Sequence, residues 1–294
     1  MRTDLDTPAG APGPGATTGF DGEGPPSGHP TRRRRWPYVL VALLLLLGLL
    51  VVALVVTTDR AHQVTLGQAE QRLGPQARAV PGSRPAPGVY DYRGTGSEHL
   101  SLPPLSQSEG PTIPGTVTLD GADCFVFRVD YSSHHWETWR YCLRHGNLEE
   151  AGGKTWQLWS IGPVDVTDVA DFHCRPATMA VPAPRAPGQV WSSRCTGTNT
   201  SVAGTTVSAG PYRFLGDVSV RVGTTKVEAA HFLRLRTDSG AQQGFERSQV
   251  WFDLTNGLPL RESETIEVRT ATPFGTSTYT QTSSFSLVSL HVRR

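Results

Sequence analysis

The sequence predicts a mainly β protein: a curved antiparallel meander, built as a half-barrel or a sandwich, preceded by one transmembrane helix and a disordered N-terminal tail. Two observations carry this prediction. After residue 89, runs rich in Thr, Val, Phe, Tyr and Trp are broken by Gly, Pro, Asp and Asn, a pattern typical of strands joined by turns. Residues 38–56 form one uncharged apolar stretch, long enough for a helix that crosses a bilayer.

The chain divides into four regions. Residues 1–37 are rich in Pro and Gly and end near an Arg cluster. They carry too few apolar side chains to offset the entropy lost on folding, so we expect a disordered cytoplasmic tail. Residues 38–56 form the expected transmembrane helix, and residues 57–88 form a stalk that ends in a Pro- and Gly-rich linker. Residues 89–294 form the expected extracytoplasmic β domain.

The apolar stretch 38–56 is expected to be an uncleaved signal anchor. Its 19 uncharged residues would span about 28 Å as a helix, which matches the hydrocarbon core of a bilayer. A cleaved signal has a shorter apolar core followed by small residues, whereas this stretch ends in Val55, Val56 and Thr57. Because Arg32–Arg35 precede it, the N-terminus should be cytoplasmic and the main domain should lie outside the cell membrane. The lipid bilayer is therefore one expected partner.

Charge and motifs exclude several classes of function. The formal net charge of +1 provides no basic field, so no nucleic-acid partner is expected. The sequence lacks G-x-S-x-G, a Walker loop, H-E-x-x-H and G-x-G-x-x-G, and it therefore predicts no catalytic residue and no cofactor. His134 is adjacent to His135, and His173 to Cys174. Because adjacent strand residues point to opposite faces, no metal site is predicted.

Four cysteines outside the apolar stretch indicate two disulfides. If Ser132–His134 is the turn of a hairpin, residues whose numbers sum to 266 lie opposite each other, and Cys124 and Cys142 form such a pair. Cys174 and Cys195 flank a Pro-rich loop, so they can also be neighbours. We expect the bridges Cys124–Cys142 and Cys174–Cys195, the first of them at or near the surface.

Several aromatic residues, four tryptophans among them, concentrate in one stretch of the predicted domain. Large aromatic side chains usually pack in the core of a β domain, and this is the first interpretation. The second interpretation is the wall of an apolar ligand cavity. Residues three apart on a strand point to opposite faces, so one member of each pair is free to line such a cavity. The candidate ligand-binding residues are Trp136, Trp139, Trp156 and Trp159.

One segment carries a family resemblance. Residues 250–262, VWFDLTNGLPLRE, resemble the W-x-D-x-x-T-G-L-P-x-R hairpin of bacterial lipoprotein-carrier-like (LolA/LprG-like) extracytoplasmic domains, and residues 89–96, VYDYRGTG, resemble their opening strand. The outer region is also similar to uncharacterised single-pass membrane proteins of actinobacteria. The resemblance implies a curved antiparallel sheet whose concave face takes an acyl chain or a protein segment. The carriers pack helices into that face, and the sequence after residue 89 predicts none.

These observations favour a membrane-anchored binding or scaffold module, without enzymatic activity, that holds a lipid or an envelope protein at the outer face. Two alternatives stay open. One is a hydrolase that acts on envelope material, which the lack of a nucleophile motif disfavours. The other is an envelope-stress sensor, which would need a membrane partner because its cytoplasmic tail carries no folded domain.

Overall fold

The computed structural model describes residues 36–57, 59–74 and 84–294. Residues 1–35 of the tail expected to be disordered lie outside the described residues. The described chain contains these elements: α1 (Trp36–Thr57), α2 (Leu66–Leu73), β1 (Gly88–Ser101), β2 (Pro104–Glu109), β3 (Thr112–Asp120), β4 (Cys124–Ser132), β5 (His135–Arg144), β6 (Asn147–Ile161), β7 (Val164–Val181), β8 (Val190–Asn199), β9 (Val202–Val222), β10 (Thr225–Gly240), β11 (Gln242–Asp253), β12 (Pro259–Thr272) and β13 (Gly275–Leu287).

Helix α1 contains the stretch expected to cross the membrane. The side chains of residues 51 and 53–57 of this helix lie outside the described set. Among the residues that are described, no helix is both long enough and apolar enough to cross a bilayer. The transmembrane helix expected over residues 38–56 is therefore not confirmed.

The strands form one antiparallel sheet that closes into a barrel of 12 strands. Each strand from β3 to β12 pairs with the next along the chain, and β1 pairs with β13 along residues 92–100. The other edge of β1 pairs with β3 over Gly88–Arg93 and with β2 over Gly96–Ser101. The expected half-barrel or sandwich is wrong, because the pairing of the first and last strands satisfies the backbone groups that an open edge would leave exposed.

The hairpin of β4 and β5 has the predicted register. Cys124 lies opposite Cys142, and the residue numbers of each pair from there to Asp130 and Trp136 sum to 266, as predicted. A bulge shifts the register in the last pair, Ser132 with His135. Both predicted disulfides, Cys124–Cys142 and Cys174–Cys195, are formed. The predicted connectivity is therefore confirmed in both cases.

One face of this hairpin is buried as expected, and the disulfide on the other face is buried too. Phe125 and Phe127 are fully buried in the aromatic core, as predicted for their face. Cys124 and Cys142 lie on the opposite face, but they are also buried, so the expectation of a surface disulfide is wrong. The linker approaches this part of the hairpin, where Arg84 Nη1 donates hydrogen bonds to backbone carbonyls that include that of Cys124.

The inside of the barrel changes from apolar to polar along its length. Strand β12 shows the sequence of layers: Leu260 lies in the core, Glu262 and Glu264 are buried polar residues, and Ile266 and Val268 line a cavity. We call the charged and polar residues between core and cavity, all buried except the half-buried Glu246, the polar belt. Its members are Glu98, Glu109, His135, Glu137, Glu150, Gln157, Arg234, Arg236, Glu246, Glu262, Glu264 and Gln281.

Residues 59–73, expected to form part of a stalk, lie against the barrel. Val64 and Ala69 are buried, and Arg72 donates a hydrogen bond of 2.6 Å to the buried carboxylate of Asp130. The apolar burial and the ion pair together hold α2 against the barrel surface.

Replacing Phe285 by alanine should destabilise the barrel strongly. The side chain is 1% exposed and packs against Tyr92, Phe127 and Tyr131 with ring centroids 5.4–6.3 Å away. Losing it removes apolar burial and leaves a cavity, which costs about 3–5 kcal/mol in the free energy of unfolding. Urea unfolding measures this change.

Phe274→Ala is the matched control, because Phe274 is 90% exposed at the turn between β12 and β13. Its truncation should change the free energy of unfolding by less than about 0.5 kcal/mol. Equal stabilities of the two variants would contradict the assignment of Phe285 to the core.

Candidate ligand-binding site inside the barrel

A cavity of about 400 Å³ occupies the end of the barrel beyond the polar belt. Five turns surround it, those between β1 and β2, β6 and β7, β8 and β9, β10 and β11, and β12 and β13. Residues at or beside these turns line the cavity: Leu102, Ile161, Ser201, Gln242 and Thr272. Its volume falls within the range of about 300–1,000 Å³ that is usual for small-molecule pockets.

The wall of the cavity is mostly apolar. Side chains of five strands supply it: Leu100, Leu105, Trp159, Val166, Phe172, Ile266 and Val268. The polar residues that line the cavity include Glu137 and Gln157, which also belong to the polar belt. This distribution places apolar and hydrogen-bonding groups around the same space, as in most ligand pockets.

Asp168 adds an acceptor to the cavity lining. Its Oδ2 accepts a hydrogen bond of 2.8 Å from Asn199. Its Oδ1 is buried and has no hydrogen-bond partner in the protein. A buried acceptor without a donor is unfavourable, so this atom is suited to a ligand that donates a hydrogen bond.

The structure separates the four tryptophans predicted as ligand-binding residues. Trp159 is buried and lines the cavity. Trp139 belongs to the core, where it stacks on Phe127. Trp136 and Trp156 lie on the outer surface, where they stack on each other with centroids 6.1 Å apart. The members of each pair thus face opposite sides, and of the four only Trp159 reaches the cavity.

Trp136 and Trp156 instead line an outer concavity of about 710 Å³, together with residues of the segment 59–73. The guanidinium group of Arg128 lies 4.1 Å from the centre of the Trp136 ring. A cation–π contact and an aromatic stack therefore hold Trp136 within the protein itself, which favours a structural role for this pair.

The polar belt contains more buried carboxylates than cations. Arg234 and Arg236 are both buried, and Arg236 donates a hydrogen bond of 2.7 Å to Glu150. Ion pairs join the two guanidinium groups to four carboxylates: Glu150, Glu246, Glu262 and Glu264. Two cations do not neutralise four ionised carboxylates, and an excess of buried charge is costly.

Protonation relieves this excess at two positions. Burial raises the pKa of Glu262 to about 8, against the lowering effect of Arg234. Burial and the neighbouring carboxylates raise the pKa of Glu264 well above its ordinary value. Although burial opposes it, the two guanidinium groups lower the pKa of Glu150. At neutral pH the cluster therefore combines an ionised Glu150 with protons held on Glu262 and Glu264.

Sequence reasoning missed these carboxylates. On β12, Glu262 and Glu264 occupy the same strand face as Leu260, which is buried in the core. Period-two alternation combined with the apolar character of Leu260 could have identified them. Because Glu262 and Glu264 lie on the same strand face as Leu260, they must point into the barrel as it does.

The fold and the site together define a closed β-barrel with a ligand-sized cavity beside a carboxylate-rich belt. The chain matches no protein-family model and no curated protein. Among solved structures it is similar to the hypothetical lipoprotein YmcC from Escherichia coli, with 10% sequence identity and a TM-score of 0.29, over 75% of this chain and 97% of that chain. At this TM-score the similarity supports no conclusion about fold or function. The resemblance to lipoprotein-carrier-like and actinobacterial proteins stays a prediction.

The stability of the barrel should fall as the pH rises from about 5 to about 9, and Glu264→Gln should reduce this fall. Because the pKa of Glu262 is about 8 in the folded protein and 4.5 as the ordinary value, the folded state keeps a proton that the unfolded chain releases. This contribution is complete below pH 4.5 and is lost as the pH passes about 8. Glutamine at position 264 removes a buried carboxyl group whose own pKa is raised well above its ordinary value, so fewer protons should be released on unfolding.

Thermal melts at several pH values measure the slope, and each kcal/mol of change shifts the Tm by about 2–4 °C in a domain of this size. Glu267→Gln, on the same strand but with a side chain 30% exposed, is the matched control and should keep the wild-type slope. An identical slope in Glu264→Gln would show that Glu264 does not keep a proton in the folded protein.

Proposed function

We propose that this protein is a membrane-anchored extracytoplasmic binding module whose barrel cavity holds one small amphipathic molecule. The observation that supports this function best is the composition of the cavity, which combines a largely apolar wall with one buried acceptor that has no partner in the protein, Asp168 Oδ1. A purely apolar ligand would leave the Oδ1 atom of Asp168 without a donor. A molecule with an apolar body and a cationic or N–H-donating end would pack against the apolar wall and donate a hydrogen bond to Asp168 Oδ1.

The charges around the cavity favour an amine over a carboxylate at the polar end of the ligand. Glu137, Asp168 and Asp238 line the cavity, and among the described residues no Arg or Lys side chain lines it. A carboxylate ligand would bring further negative charge into a site of low dielectric constant without a cation to balance it. A cationic end instead gains attraction from the lining carboxylates.

The entrance to the cavity supports a lipid-derived ligand. Exposed apolar side chains lie at three of the surrounding turns: Leu102, Ile161, Val164 and Phe274. Apolar residues exposed together at the mouth of a pocket are typical of sites that contact an apolar surface or its components. We therefore place the ligand among the amine-bearing lipids, or fragments of lipids, of the cell envelope.

Decylamine should bind to the chain from residue 59 onward at least about tenfold more tightly than decanoate, which shares its chain length but carries the opposite charge. Trp159→Ala should weaken decylamine binding by about tenfold or more, because the apolar burial of one large side chain is worth about 1.5–3 kcal/mol. Isothermal titration calorimetry measures both affinities.

Trp156→Ala is the matched control, since Trp156 lies on the outer surface, and it should bind as the wild type does. Asp168→Asn should reduce the preference for the amine. Stronger binding of decanoate, or equal affinities of the wild type and Trp159→Ala, would reject the cavity as the site.

The anchoring part of the proposal rests on the apolar stretch 38–56 and on Arg32–Arg35 before it. The full chain expressed in bacteria should stay with the membrane pellet after an alkaline carbonate wash, whereas the chain from residue 59 onward should be released. Mass spectrometry of the full chain should find the stretch retained, and a mature N-terminus after residue 56 would contradict an uncleaved anchor.

A further inference from the structure

A second group in the polar belt lies apart from the Arg234 and Arg236 cluster. Glu98, Glu109 and His135 are 1%, 5% and 0% exposed. His135 Nδ1 lies 3.1 Å from Glu98 Oε1 and 2.9 Å from Glu109 Oε1. One oxygen or nitrogen atom of each residue lies within 4.8 Å of the others. The three residues come from β1, β2 and β5, so the barrel itself brings them together.

The imidazole of His135 presents Nδ1 to the two carboxylates. Its other nitrogen, Nε2, lies 3.3 Å from Glu137 Oε1. Histidines that bind metal ions commonly have a carboxylate beside their second nitrogen, and Glu137 occupies that position although Nε2 makes no hydrogen bond to it. Nδ1 is hydrogen-bonded to Glu109 Oε1, so a metal ion would replace the proton between these two atoms. Nδ1 and one oxygen of each glutamate lie within 4.8 Å of one another.

Glu98 is oriented towards the same point. Its Oε2 accepts hydrogen bonds from Gln157 at 2.6 Å and from the hydroxyl of Tyr279 at 3.2 Å. Its buried Oε1, which lies 3.1 Å from His135 Nδ1, accepts no hydrogen bond, and neither does the buried Oε2 of Glu109, which lies on the Gly96 side. Buried carboxylate oxygens without donors are costly unless a cation satisfies them.

We propose that Glu98, Glu109 and His135 bind one divalent transition-metal ion, Zn²⁺ or Mn²⁺, inside the barrel. Two carboxylates and one imidazole suit these ions, and their combined charge is balanced by a divalent cation. Metal–ligand distances of about 2.0–2.2 Å place neighbouring donor atoms about 2.8–3.1 Å apart at the right angles of an octahedral site such as that of Mn²⁺, and about 3.3–3.6 Å apart in a tetrahedral Zn²⁺ site. The observed separations of 2.9 and 3.1 Å agree with the octahedral geometry, and Zn²⁺ binding needs the donor atoms to move apart by a few tenths of an ångström.

The surroundings of the group also fit a metal site. Gln157 and Tyr279, which orient Glu98, line the cavity and so connect the site to an entry path. Gly96 leaves room for the carboxylate of Glu109, because a Cβ atom at this position would collide with Glu109 Oε2. The metal site goes beyond the proposed ligand binding and does not depend on it.

Metal analysis of the full chain, purified in detergent, tests the site. After treatment with a chelator and dialysis against Zn²⁺ or Mn²⁺, the protein should retain about one ion per chain by elemental mass spectrometry, and the bound ion should raise its Tm. Glu98→Gln preserves the size of the side chain but removes one charged ligand, and it should weaken metal binding by at least about tenfold. Glu109→Gln should have the same effect.

Glu264→Gln is the matched control, because it removes a buried carboxylate from the other cluster of the belt and should bind metal as the wild type does. Metal-free melts show whether each variant is folded. Folded wild-type protein that retains neither ion, or equal affinities of the wild type and Glu98→Gln, would overturn the metal site. Because decylamine binding is measured separately, failure of the cavity proposal leaves the metal result interpretable, and the reverse also holds.

Discussion

The antiparallel pairing of β1 with β13 is the interaction on which the rest of the structure depends. It joins the ends of a sheet in which the other barrel strands pair mainly with their neighbours in the chain, and so gives every strand an inner face closed off from solvent. The same pairing places Glu98 opposite Gln281 and brings it to the hydroxyl of Tyr279. The core, the polar belt and the cavity are therefore consequences of one closure.

The polar belt is not explained by stability. Buried ion pairs contribute little to the free energy of folding after desolvation, and apolar residues of similar volume often replace them without loss. The aromatic core at one end of the barrel, where Phe285 packs against three other rings, supplies apolar burial that offsets this cost. Polar groups kept inside a barrel at such a cost are typical of functional sites, and here they lie directly beside a cavity of suitable size.

Local patterns predicted part of the fold and part of the candidate site. The hairpin of β4 and β5 has its predicted register because period-two alternation and a short turn determine which residues face each other. The same alternation placed Trp156 and Trp159 on opposite faces. It did not predict barrel closure, and it did not identify Glu262 or Glu264, because carboxylates usually face solvent and alternation alone does not show which strand face points inward.

The sequence by itself determined the strand-rich character of the chain after residue 89, the register of one hairpin and both disulfide pairs. These features depend on residues that are near one another in the chain, so spacing and alternation are sufficient to predict them. Only the tertiary structure decided that the sheet closes, that Trp159 faces a cavity, and that Glu98, Glu109 and His135 meet. Those features depend on how strands that are distant in the chain are arranged around the barrel, and residue spacing does not predict that arrangement.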